Sequence, residues 1–120
     1  MHEEPLFTIT DEYELLALHR SLFEAQFATD PHSRDVPGSP LLASLANRVV
    51  DTLTQHDPRW AEWRVASNHL DRVAIVRRRL PEEPGWSGMS QSERETHVRN
   101  HLAPLIPDDR LLQSLSSDAA

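Results

Sequence analysis

Residues 57–80, DPRWAEWRVASNHLDRVAIVRRRL, decide the fold class. Asp57 is a good helix N-cap, because its carboxylate can accept a bond from an unpaired backbone N–H in the first turn. Pro58 then occupies the first helical position, where its missing N–H costs nothing. No glycine or further proline follows until Pro81, which disfavours helical geometry at Leu80 and sets the stop. The spacing predicts one helix over 58–80, a rod about 34 Å long at 1.5 Å per residue. At 100° per residue Trp63, Ala66, Leu70, Val73 and Ala74 share a face, flanked by Trp60, Arg77 and Leu80. Val65, His69 and Val76 point elsewhere, with His69 expected in solvent. The apolar surface is wide enough for neighbours on two sides.

Working outward, the flanking segments look built to cover this rod. Asp11 opens a helix over 11–28, with Glu14 three residues on in a capping-box-like pair. Asp11, Glu12 and Glu14 also suit the positive end of the helix dipole. Leu15, Leu16, Leu22, Phe23 and Phe27 share a face into which His19 and Gln26 intrude. Residues 29–40, TDPHSRDVPGSP, form a loop. Ser39-Pro40 repeats the cap-plus-proline device and starts a helix over 40–55, aligning Leu41, Leu42, Leu45, Ala46, Val49 and Leu53. The short link at His56-Asp57 favours an antiparallel hairpin with the rod. After the loop PEEPGWSGMS, Ser90 and Glu93 form a capping box and start a helix over 91–102. Asp108 or Asp109 starts a last short helix. Residues 1–9 form a lead-in arm carrying Leu6, Phe7 and Ile9, and 116–120 a frayed tail. No internal repeat, sustained heptad or alternating β-branched run occurs. The expectation is an all-α small bundle of four main helices, with a central long helix and a short C-terminal helix. Its core is expected around Trp63, Leu70, Leu45, Val49, Leu22 and Phe23.

At 120 residues the chain is expected to form one domain spanning 1–120. Cysteine is absent, which excludes disulfides and thiol chemistry and fits a reducing cytoplasm. The segment MHEEPLFTITDEY lacks the basic and apolar regions of a signal peptide, and no run is long enough to span a membrane. The net charge of −7 is unevenly spread. Residues 58–80 carry two acids and six arginines, whereas the segments before and after are acidic. Intramolecular complementarity accounts for this pattern, and the overall sign weighs against nucleic-acid binding.

No nucleophile elbow, phosphate loop or dinucleotide turn is present, and three glycines leave little room for a backbone-lined phosphate cradle. Three weaker candidates remain. Glu93, His97 and His101 fall in one helical column and could share a metal ion, but the segment ETHVRNH lacks the zincin motif and a visible third protein ligand. Arg77, Arg78 and Arg79 end the rod, where cations oppose the negative end of the dipole and could also meet an anion or nucleic acid. Glu82-Glu83 and Asp108-Asp109 sit in proline-rich loops and read as solvated. His19 reads as a core-edge histidine or as a group lining an interhelical pocket.

The third candidate is a contact surface. The helix over 91–102 offers only Val98 and Leu102 to a core, and helices this short depend on packing. Trp86, Met89, Leu105, Leu111 and Leu112 lie in broken pieces beside it. They either fold back over the rod or dock on a second chain. The expected function is a non-catalytic protein, without a cofactor, acting through a protein partner or self-association. The alternatives are metal or small-ligand binding through His97 and His101, and nucleic-acid-linked regulation through Arg77–Arg79.

Overall fold

The computed structural model describes residues 4–30 and 35–117. It is all-α: among the described residues there are six α-helices and no strand. They are α1 (Glu12–Gln26), α2 (Pro40–His56), α3 (Arg59–Trp63), α4 (Leu70–Arg79), α5 (Gln91–Leu102) and α6 (Asp109–Ser116). Three 3₁₀ turns lie at Ala66–Asn68, Leu80–Glu82 and Trp86–Gly88. The capping chemistry sets most of the starts. Asp11 accepts from Tyr13 N–H, Ser39 from Leu42 N–H and Asp108 from Leu111 N–H, while Ser90 and Glu93 make the full reciprocal box.

The single rod over 58–80 is not what forms. It breaks between Trp63 and Leu70 without a glycine or proline to mark the place. Arg64 is the physical cause. Its guanidinium is buried and donates to the Pro104 carbonyl at 3.1 Å, to Asp51 at 2.6 Å and to the Asn47 side-chain oxygen at 3.1 Å. Its own carbonyl accepts from Ile106 N–H at 2.7 Å, and Ala66 N–H donates to Ile106 O at 2.9 Å, making an isolated parallel bridge between Val65 and Ile106. Side chains also reach the carbonyls at the end of α3, where Glu62 O already accepts from Val65 N–H at 3.2 Å. Asn68 donates to Glu62 O at 3.1 Å, and the His69 ring meets Trp63 O at 2.6 Å, so His69 is half-buried and not in solvent. The β-branched Val65, together with Ser67 and Asn68, also weakens the helix locally.

The break resets the helical phase. Val73, Val76 and Leu80 now point inward, and Leu70 is 71% exposed. Leu45 is likewise surface, so neither residue belongs to the core expected from a continuous rod. Two helices hold the fold together: α2 packs against α1, α3 and α5, and α5 against α2, α4 and α6. Val98 and Leu102 of α5 are fully buried in one cluster with Val76, Leu80, Trp86, Leu112 and Leu115. A second cluster surrounds His19, whose ring lies edge-on to Trp60 at 5.0 Å and to Trp63 at 4.9 Å, with Phe23 at 5.7 Å. The lead-in arm carries no helix in its described part, and Leu6 and Phe7 are exposed. The expected frayed tail is only partly described: Ser116 ends α6 as a buried residue, and 118–120 lie outside the described residues.

Candidate ligand-binding cleft

The end of α1, the approach to α2 and the end of α5 are joined by one side chain. Gln26 is fully buried, and its amide donates to Asn100 O at 2.6 Å and to Ala103 O at 2.9 Å. Its side-chain oxygen accepts from Gly38 N–H at 2.8 Å. Gly38 has a left-handed backbone with φ of 80°, and a Cβ built on it would stand 2.4–2.7 Å from atoms of the His101 imidazole. Glycine is therefore required there on two counts, conformation and space. Arg79, from the last turn of α4, donates to Gln26 O at 2.6 Å and to Ala28 O. It thus serves carbonyls at the end of a different helix, where amide partners are missing. Burial pulls its pKa below the ordinary arginine value.

These ties leave a cleft of about 700 Å³ between the loop before α2, the start of α2, the last turn of α4 and α5. Gly38, Ser39, Ile75, Arg78, Glu83 and His101 are among the residues on its wall, which Arg79, Asp35 and Glu82 also share. His101 is only 3% exposed, and neither ring nitrogen has a hydrogen-bond partner. Its nearest ionic neighbour is Glu83, with Oε2 at 3.7 Å from Nε2, too long for a hydrogen bond. The other Glu83 oxygen lies 2.8 Å from His97 Nδ1. Burial pushes the His101 pKa down from its ordinary value; Glu83 opposes that shift, while Arg79 and His97 add to it.

The expected site residues are distributed as follows. His97 and His101 do face a common carboxylate, but it is Glu83 and not Glu93, which is held in the capping box by Ser90 at 2.8 and 3.1 Å. Glu83 is half-buried, contrary to the solvated reading, because the 3₁₀ turn over Leu80–Glu82 returns the chain toward α5. Among the described residues no group of three His, Cys, Asp or Glu side chains is arranged to hold a metal ion. The three arginines part company: Arg77 donates to Ser114 on α6 at 3.3 Å, Arg78 is exposed on the cleft wall, and Arg79 is tied to α1. Trp86, Leu105 and Leu112 are buried, and Met89 and Leu111 pack half-buried on the same core. In this chain that segment folds back, with Arg94 4.9 Å above the Trp86 ring and its Nε donating to Trp86 O. These residues pack on the same core as Val73 and Val76 of α4. His19 belongs to the aromatic cluster, and burial first, then Arg20, lowers its pKa.

Gln26, Gly38 and Arg64 were not legible as site or anchor residues in the sequence. The only signal for Gly38 is its place between a proline and a helix cap. No family model, no curated protein and no solved structure matches the chain. Among the described residues, no helix is long and apolar enough to cross a membrane.

Proposed function

We propose that this chain is a non-catalytic binding protein, and that it takes a small polar ligand in the cleft beside His101. The observation that supports this most is the cleft itself, whose wall carries the buried His101 imidazole with no hydrogen bond at either nitrogen and only the Glu83 carboxylate, at 3.7 Å, beside it. Buried polar groups are normally satisfied, and one that is not calls for an explanation such as an absent ligand or water. The volume falls within the usual range for small-molecule sites. The lack of cysteine suits a reducing compartment, and the cytoplasm is the proposed location. Isotope-labelled protein titrated with carboxylates, phosphomonoesters, amines and polyols tests the reading. Resonances of Gly38, Ile75, Arg78 and His101 are expected to shift with at least one class. Shifts confined to other surfaces, or none at all, would refute it.

One observation favours a second reading, self-association. Val65 and Ile106 are exposed at the rim of a mostly apolar hollow of about 420 Å³ that also includes Ala61 and Pro107. The same chain carries an arm whose Leu6 and Phe7 have little cover. Seating the arm of one copy in the hollow of another would bury both, as arm exchange between identical chains does. Sedimentation is expected to show a dimer that Phe7→Asp and Ile106→Asp each dissociate. A monomer at the highest attainable concentration would remove this reading.

A further inference from the structure

We infer that the cleft is an oxyanion site: it recognises the phosphate or carboxylate group of its ligand through Arg78 and the amino-terminal end of α2. This rests on the ligand-binding reading above and specifies it.

The wall carries the carboxylates of Asp35, Glu82 and Glu83 and the guanidinium groups of Arg78 and Arg79. Glu83 is bonded to His97, Arg79 is spent on the carbonyls of Gln26 and Ala28, and Asp35 and Glu82 each have a partner. Arg78 alone among these groups has no partner among the described residues, and it is exposed. A guanidinium in that state offers a planar fork of donors that matches two oxygens of a carboxylate or phosphate.

The second contribution is the start of α2. Ser39 and Pro40 stand on the cleft wall, and they are the cap and first residue of a 17-residue helix with no acidic side chain in its first turn. The positive end of that helix dipole therefore faces the same space as Arg78. The third is His101, buried on the wall with no hydrogen-bond partner for either nitrogen. An anion in the cleft supplies a counter-charge to its protonated form. The groups acting on it are Glu83, Arg79 and His97, and Asp35, Glu82 and Arg78 line the same cleft. Without a ligand, burial favours its neutral form and Glu83 opposes that. By linkage, a bound anion raises the pKa of His101, and the anion binds more tightly as pH falls through that titration.

The test uses the full chain with four probes: inorganic phosphate, succinate, glucose and ethylammonium. Calorimetry is expected to show binding of phosphate or succinate, and the stronger of the two identifies whether the natural group is phosphoryl or carboxylate. Arg78→Gln is expected to weaken it about tenfold or more, the loss of a charge-assisted contact. Arg77→Gln, on the α6 side, is expected to leave it unchanged. Proton NMR of His101 is expected to show its pKa rising when the anion is bound. An affinity indifferent to Arg78→Gln, or a phosphate affinity unaffected by pH and without any response at His101, would overturn the inference. If only glucose or ethylammonium shifts the cleft resonances, the oxyanion assignment fails while ligand binding stands. If no probe or compound class shifts them, both fail.

Discussion

Replacing Gln26 with glutamate is expected to destabilise the fold by roughly 3–5 kcal/mol, from two unsatisfied buried carbonyls and a buried carboxylate. The wild-type amide donates to Asn100 O and Ala103 O and accepts from Gly38 N–H. A carboxylate keeps the shape and the acceptor but loses both donors, and it places negative charge against two carbonyl oxygens. Thermal melts are expected to fall by roughly 10–20 °C for a domain of this size. The substitution also carries its own signature in pH. The carboxyl is driven to a raised pKa, and once protonated it can donate again. The deficit against wild type is therefore expected to shrink as pH falls through that raised pKa. A loss below about 1 kcal/mol, within the range of ordinary surface changes, would show that the three contacts are not made in solution.

The second large effect is expected at Arg64. Arg64→Met keeps the stem but strands the Pro104 carbonyl and removes the donors to Asp51 and Asn47. A cost of about 2–3 kcal/mol follows from one unsatisfied buried acceptor and the lost charge-assisted bonds. Arg64→Lys is expected to recover less than half of it, since an ammonium cannot span three acceptors held in a fork. Asp51→Asn is expected to cost under about 1 kcal/mol, because that carboxylate is largely in solvent. Chemical denaturation of the three variants measures all of this. Equal losses for Arg64→Met and Asp51→Asn would mean that the Pro104 contact contributes nothing.

The boundaries of α5 and the start of α2 were legible because they are written in local chemistry. Ser90 with Glu93, and Ser39 with Pro40, act within one turn of themselves. The break after Trp63 was not legible, because its cause lies elsewhere in the chain. Arg64 leaves the helix to meet Asn47, Asp51 and Pro104, and no pattern within 57–80 announces those partners. The consequence carries forward: a continuous rod places Leu70 on the main inward face and Val76 off it, whereas after the break Leu70 is exposed and Val76 fully buried. At the cleft, Arg78 and His101 could each be singled out from spacing. That they share one wall depends on Gln26 drawing Gly38 against α5. Glu83 was misplaced for a related reason, since flanking prolines suggested a solvated loop and the 3₁₀ turn instead brings its carboxylate to His97. Trp86 and Leu112 read in the sequence as either fold-back or docking residues, and within the chain both are buried.

The broken rod also bears on the order in which the chain acquires structure. A five-residue helix such as α3 lies far below the length at which a helix persists by itself. Its carboxy-terminal end is anchored by Pro104 and Ile106, some forty positions later, so closing that long loop must come before α3 can hold. α3 is therefore expected to form late, on a surface that α2 and the end of α5 have already made.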